Sequence, residues 1–191
     1  MEDTVLLIAA TPAELRGHDG LVCGVGPVEA AAATSRRLAV SQPRAAVLVG
    51  IAGAREGAGL PVLGVVAGAE AVYEDLATSI PLAPQVAVPN ARLAADVARA
   101  LRCPLLPIGT SAAVGGTTGC PVEAMEGFAV LRAAELAGVP ALEVRVISNL
   151  IGEPRARWRV DDALGVLDAV IPVVLTVLSR AAADPSPRSP R

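Results

Sequence analysis

Residues 122–149 read VEAMEGFAVLRAAELAGVPALEVRVISN, and this stretch predicts a helix that leads into a buried strand. Pro121 suits the first helical position, where its missing N–H costs nothing, and Gly138 with Pro140 ends the helix. Residues 141–148 are apolar and β-branched enough for an interior strand. Glu143 and Arg145 are the exceptions, so we expect them to point to an edge, to a partner or to each other.

Two polar side chains flank this unit. Asn149 follows the predicted strand, and Glu126 falls in the first turns of the predicted helix, where negative charge is favoured. In open α/β sheets, ligands bind in the crevice beyond the carboxyl ends of the strands. We therefore expect Glu126 and Asn149 to face one pocket from two different elements.

The rest of the chain continues the alternation of strands and helices. Apolar runs predict strands at 4–10, 21–23, 45–50, 60–72 and 105–108, and helices are predicted at 28–40, 91–101 and 161–180. The 191 residues suit one α/β domain over residues 1–180. The segment 181–191, made of Ala, Pro, Ser and Arg with one Asp, predicts a disordered tail.

Composition narrows the function classes. The net charge of −3 gives no electrostatic footprint for nucleic acid. Three cysteines without a CxxC pair argue against a disulfide framework and a zinc site, and the lone His18 adds no metal site. The acidic N-terminus is not that of a signal peptide, so a cytoplasmic location is predicted. Residues 164–178 are apolar but shorter than the roughly 20 residues of a membrane span, so we expect a helix packed on a core or on a partner subunit.

Two motifs carry a family resemblance. Glu-Ala-Met-Glu-Gly at 123–127 and Val-Arg-Val-Ile-Ser-Asn at 144–149 resemble the nucleoside phosphorylase and nucleosidase superfamily, whose members cleave the N-glycosidic bond of nucleosides. The resemblance implies a single-domain three-layer α/β/α fold with a central mixed, partly barrel-like sheet. It also implies that Met125 and Glu126 contact the ribose, with Glu126 accepting hydrogen bonds from its hydroxyls, and that Asn149 meets the purine base.

Further site residues follow from the same resemblance. Glu14, the nearest carboxylate after the first strand, would be the general base on the attacking water, and its alternative is an exposed first-turn carboxylate. The small residues Ile51, Ala52 and Gly53 would form a loop that passes under the nucleoside. Ala113 and Val114 would lie against the base, although an aromatic residue common in relatives is missing here. No cofactor is implied.

The identity of Asn149 bears on the substrate, because many nucleosidases have Asp at this position. A carboxamide can donate N–H to O6 or N7 of a 6-oxopurine. An unpaired buried polar group costs roughly 1–3 kcal/mol, so Asn149 should favour hypoxanthine or guanine over adenine. The alternative is a turn-forming Asn at a strand end.

Within the superfamily, residues 125–129 and 147–149, followed by Gly152, an arginine and Trp158, resemble the futalosine hydrolase branch most. That resemblance implies release of hypoxanthine from futalosine on a route to menaquinone. Arg155 or Arg157 could then pair with the benzoate of the substrate, the alternative being two solvated arginines.

Other functions remain open at this point. They are a methylthioadenosine/adenosylhomocysteine nucleosidase, a phosphate-using purine nucleoside phosphorylase, and a non-catalytic nucleoside-binding protein. By analogy with the superfamily, a homodimer or larger homo-oligomer is predicted.

Overall fold

The structure is a computed structural model that describes residues 4–76, 83–116 and 119–183, with side chains through residue 181. The strands are β1 (Val5–Ala9), β2 (Leu21–Val22), β3 (Ala45–Ala54), β4 (Val65–Tyr73), β5 (Val86–Ala87), β6 (Leu105–Thr110), β7 (Val122–Ala124) and β8 (Ala141–Leu150). The helices are α1 (Pro12–Leu15), α2 (Pro27–Val40), α3 (Ala91–Leu101), α4 (Gly127–Leu136) and α5 (Val160–Ala183), with a 3-10 turn at Arg155–Arg157.

The eight strands form one mixed sheet in the order β2-β1-β3-β7-β6-β4-β5. Strand β8 pairs with both β3 and β4, so five strands (β3, β7, β6, β4 and β8) close into a barrel. Strands β1, β3 and β8 run parallel, which brings their carboxyl ends to one edge. The predicted mixed, partly barrel-like sheet is confirmed.

Helices cover the sheet on two sides. Helices α3 and α5 pack on one face, where Val97, Leu167 and Ile171 join Val47 and Val144 in a buried cluster. Helices α2 and α4 cover the other face through a second cluster that includes Ala30, Leu38, Val130 and Leu131. The layers are therefore helix, sheet and helix, as predicted.

The start of the central helix differs from the prediction. Residues 122–124 form strand β7, and α4 begins only at Gly127. β7 pairs with β3 and with β6 and so closes the barrel, and this long-range pairing outweighs the local helix signal of Pro121. Met125 consequently precedes the helix.

Strand β3 continues to Ala54 and strand β8 to Leu150, so residues 51–53 belong to a strand and not to a loop.

Asn90 is the N-cap of α3, and its side chain accepts a hydrogen bond from the Leu93 N–H at 3.1 Å. Helix α5 reaches three residues into the predicted tail, and residues 184–191 lie outside the described part of the chain.

Helix α5 has 24 residues, so the expectation that its apolar segment is too short for a membrane span is wrong. By length and composition Val160–Ala181 could cross a membrane, with a mean hydropathy of 1.9. One side of this helix instead lies in the core, where Leu167, Ile171, Val174 and Leu178 are fully buried. For this side of α5 the prediction of a helix packed on a core is confirmed.

Candidate functional site

A cavity of about 460 Å³ opens at the carboxyl ends of β1, β3 and β8. Because these strands are parallel, residues that follow each of them meet at one edge of the sheet. The described residues that line the cavity are Ala10, Thr11, Ala13, Glu14, Val25, Ile51, Ala52, Gly53, Val114, Glu123, Ala124, Met125, Glu126, Arg145, Ser148, Asn149, Arg155, Trp158, Val160 and Leu164.

Glu14 stands on α1, directly after β1. Thr11 caps this short helix, and the carboxylate of Glu14 accepts in return from the Thr11 N–H at 3.1 Å and the Thr11 hydroxyl at 3.0 Å. Its other oxygen accepts from the Ile51 N–H at 3.0 Å. Glu14 is only 6% exposed, so the alternative of an exposed first-turn carboxylate is wrong.

Glu126 occupies the N-cap position of α4 and is 3% exposed. One carboxylate oxygen accepts from the Gly26 N–H at 3.1 Å, and the other accepts from Arg145 Nη2 at 3.1 Å. Each oxygen has a second lone pair. The side chain is therefore held in one orientation while it keeps the capacity to accept hydrogen bonds from a ligand in the cavity.

Arg145 is the positive centre of a buried charged cluster. Its Nε donates to Glu143 at 2.8 Å and its Nη2 donates to Glu126, and all three side chains are at most 4% exposed. Glu143 and Arg145 thus pair with each other, one of the arrangements expected from the sequence. Burial acts to lower the pKa of Arg145, but the charges of Glu143, Glu126 and Glu14 outweigh it and the pKa is raised.

Gly50 makes this arrangement sterically possible. It is the in-register neighbour of Arg145 on β3. A Cβ at position 50 would collide with Nη1 of Arg145 and with Oε1 of Glu14. The absent side chain at position 50 therefore leaves the space over the middle of β3 that the guanidinium and the Glu14 carboxylate both approach.

Asn149 reaches the cavity because strand β8 is irregular at this point. Ala52 pairs with Ile147 and Gly53 pairs with Asn149, so Ser148 has no partner in the register. Successive residues of a regular strand point to opposite faces, whereas a bulge re-aims them. Ser148 and Asn149 consequently both line the cavity, and Asn149 Oδ1 accepts from the Ser148 hydroxyl at 2.8 Å.

The Asn149 carboxamide is only partly engaged by the protein. Its Nδ2 donates to the Leu150 carbonyl at 3.0 Å, which uses one of two N–H groups. The side chain is 6% exposed and faces Gly53, whose missing Cβ leaves space beside Nδ2. A ligand in the cavity can therefore accept a hydrogen bond from this amide.

The remaining predicted residues divide between the cavity and the surface. Met125 and Val114 line the cavity, whereas Ala113 is exposed and is not among the described lining residues. Arg155 lies 5.5 Å from the centre of the Trp158 ring, and both residues line the cavity. Arg157 is exposed and does not join them.

Sequence reasoning missed several lining residues. Glu123 and Ser148 stand beside predicted residues, and only the pairing of β7 with β3 and the bulge in β8 bring them into the cavity. Trp158 is the only aromatic side chain among the described lining residues. As the single tryptophan of an aromatic-poor chain, it was the available signal for a ring that contacts a ligand.

Comparison with known proteins gives the same architecture. An S-adenosylhomocysteine nucleosidase from Streptococcus pyogenes, solved with 5-methylthiotubericidin, superposes with a TM-score of 0.80 at 18% identity over 94% of this chain and 98% of that one. The native futalosine hydrolase of Helicobacter pylori superposes with a TM-score of 0.80 at 14% identity, covering 91% and 97% of the two chains. These likenesses confirm the predicted fold.

At the level of sequence the likeness is local. A futalosine hydrolase from Streptomyces coelicolor is 54% identical over 54 residues, which are 27% of this chain and 23% of that protein. The match thus spans about a quarter of the curated relative. No protein-family model matches the chain.

Proposed function

We propose that this chain hydrolyses the N-glycosidic bond of a purine nucleoside. The observation that carries the proposal is the convergence of Glu14, Glu126 and Asn149 in one cavity, although they stand on three different elements. The fold similarity to nucleosidases supports it. The local likeness to a futalosine hydrolase adds support for a hydrolytic reaction.

Each of the three residues has a distinct task in this reaction. Glu126 accepts hydrogen bonds from the ribose hydroxyls and favours the positive charge that develops on the sugar as the bond to the base breaks. Glu14 takes a proton from the water that attacks C1′. The electron pair of the broken bond goes to the purine, and Asn149 stabilises it by donating a hydrogen bond. The departing base acquires its proton from solvent, since a carboxamide is not a strong acid.

The substrate class follows from the chemistry at position 149. Asn149 has an N–H available to O6 or N7 of a 6-oxopurine, so hypoxanthine is the preferred leaving group. A benzoate on the far side of the ribose would lie at the mouth of the cavity, where Arg155 can pair with its carboxylate and Trp158 can stack on its ring. Futalosine carries both groups and is the substrate we propose.

The alternatives receive less support from the geometry. The resemblance to phosphorylases implies that part of a phosphate site would lie near Gly24 and Gly26, but here the Gly26 N–H already donates to Glu126. A methylthioadenosine/adenosylhomocysteine nucleosidase must accept from the 6-amino group of adenine. The partly engaged amide of Asn149 suits an oxo group better.

One experiment tests the proposal. The purified protein is incubated with futalosine, inosine and methylthioadenosine, each with and without phosphate, and free base is followed by chromatography. We expect hypoxanthine from futalosine without phosphate, and its loss in Glu14→Gln and Glu126→Gln. Adenine release would indicate the adenine nucleosidase, and phosphate dependence the phosphorylase. Binding of futalosine without release of base would indicate a non-catalytic protein.

A further inference from the structure

Glu143 is a buried carboxylate for which the proposed reaction has no direct use. It lies in the middle of β8, is 0% exposed and is not among the described residues that line the cavity. Its Oε1 accepts from Arg145 Nε at 2.8 Å. Its Oε2 is buried and has no hydrogen-bond partner within the described part of the chain. Burying a polar atom without a hydrogen-bond partner costs free energy, so the presence of Glu143 at this position requires a physical reason.

The position of Arg145 supplies that reason. The guanidinium is planar, so fixing the Nε edge and one Nη atom fixes the direction of every N–H it carries. Glu143 holds the Nε edge and Glu126 holds Nη2, which leaves Nη1 between the Ile51 carbonyl, at 3.5 Å, and the Glu14 carboxylate. Arg145 thereby contacts Glu126, the proposed sugar-binding residue, directly, and its positive charge acts on the nearby carboxylate of Glu14.

The absence of a side chain at Gly127 leaves room for the same carboxylate. A Cβ at this position would collide with Oε2 of Glu143 and come within 2.8 Å of its Cδ. Gly127 is the first residue of α4 and follows Glu126 directly. The missing side chain at the start of the helix therefore provides the space in which the end of Glu143 lies.

We propose that Glu143 is a positioning residue, which holds the Arg145 guanidinium so that Glu126 keeps its reactive orientation. It contacts neither the cavity nor a substrate and acts only through Arg145. Burial raises the pKa of Glu143, and the charge of Arg145 opposes that shift. The inference rests on the proposed hydrolysis.

The first test compares Glu143→Val with Glu143→Gln. Valine removes the acceptor for Nε, whereas glutamine keeps one. Because misplacing reactive groups by about 1 Å costs on the order of 100-fold in rate, we expect kcat to fall about 30- to 100-fold in Glu143→Val. KM should change less than about threefold, since the cavity wall is intact. Glu143→Gln should recover most of the lost kcat.

Folding is controlled in two ways. Thermal unfolding gives the folded fraction to which each kcat is normalised, and Glu135→Gln breaks a matched but exposed carboxylate–arginine pair on α4. A purely structural role would lower the unfolding midpoint of Glu143→Val without changing kcat per folded molecule. That result would overturn the inference.

A double-mutant cycle gives an independent readout. Gly127→Ala should lower kcat about tenfold by displacing Glu143, and it should have no further effect in the Glu143→Val background, where the space is free. Equal effects in both backgrounds would contradict the proposal.

If the wild-type protein releases no base from any nucleoside, the proposed function fails and the inference with it. If the wild type is active and Glu143→Val is equally active, the inference alone fails.

Discussion

The two faces of strand β8 are buried to the same extent, yet they contain opposite chemistry. On one face Leu142, Val144 and Val146 are 0% exposed and pack in the cluster formed with α3 and α5. On the other, Glu143 and Arg145 are 0% and 1% exposed and contact mainly charged groups. Burial therefore does not distinguish the faces, whereas the partners of the side chains do.

The difference shows which face serves stability. An apolar side chain gains free energy in proportion to the area it removes from water, about 25 cal/mol per Å². A buried ion pair at best recovers its desolvation cost, and apolar residues of equal volume are often more stabilising. The polar face of β8 thus contributes less to the free energy of unfolding than an apolar face of the same volume would. Its geometry is explained by the cavity at the end of the strand.

The largest effect is expected from Arg145→Met, which removes the only cation that contacts Glu126 and Glu143 among the described residues. Two carboxylates are then buried without compensation, so the free energy of unfolding should fall by about 3–5 kcal/mol. Urea unfolding measures it. Arg132→Met on the exposed face of α4 removes a similar contact in solvent and should cost less than about 1 kcal/mol. Equal losses would show that burial of the cluster is energetically unimportant.

Asn149→Asp tests the polar face through specificity. A carboxylate accepts but does not donate when ionised, so it should weaken recognition of a 6-oxopurine and improve that of a 6-aminopurine. The ratio of kcat/KM for inosine over adenosine should fall about 10- to 100-fold, which corresponds to about 1–3 kcal/mol. Arg157→Ala is the control, because Arg157 is exposed and is not among the described residues that line the cavity. An unchanged ratio of kcat/KM values in Asn149→Asp would show that Asn149 does not recognise the base.

Val144→Ala tests the apolar face. It deletes two methyl groups from a closely packed cluster, so the free energy of unfolding should fall by about 1–2 kcal/mol. Because Val144 points away from the cavity, kcat/KM of the folded protein should stay within about twofold of the wild type. A large loss of activity at full folding would mean that the two faces are not independent.

How far the sequence predicts this strand depends on the range of the interactions. The buried character of residues 141–148 and the pairing of Glu143 with Arg145 follow from the local pattern of apolar and charged residues. The bulge at Ser148 does not, since it arises from the register between β8 and β3. The local pattern predicts a helix over residues 122–124 for the same reason, because strand β7 exists through pairing with two strands distant in the chain.

The candidate site shows the same division. Glu14, Glu126 and Asn149 were found from motifs and from their places after strands, and the cavity contains all three. Ala113 was placed by its order in the chain alone and is exposed. The spaces left by Gly50 and Gly127 depend on which side chain passes over each glycine, which a single sequence does not specify.

The smallest effect concerns the charge of Glu143. Burial raises its pKa above the ordinary value of 4.5, so at pH values between 4.5 and the raised pKa the folded protein holds a proton that the unfolded chain has lost. Wherever the folded state binds more protons, the free energy of unfolding falls as pH rises. The contribution of Glu143 to stability is therefore fully present below pH 4.5 and declines as pH rises from there through the raised pKa.

Glu143→Gln lacks this titration. Its stability should decline less than that of the wild type when pH rises from 4 to 8, as measured by urea unfolding at several pH values. Glu135→Gln, which changes an exposed carboxylate, should follow the wild-type curve. If Glu143→Gln instead loses more stability than the wild type as pH rises, the attraction of Arg145 outweighs the cost of burial, and the pKa of Glu143 in the folded protein lies below its ordinary value.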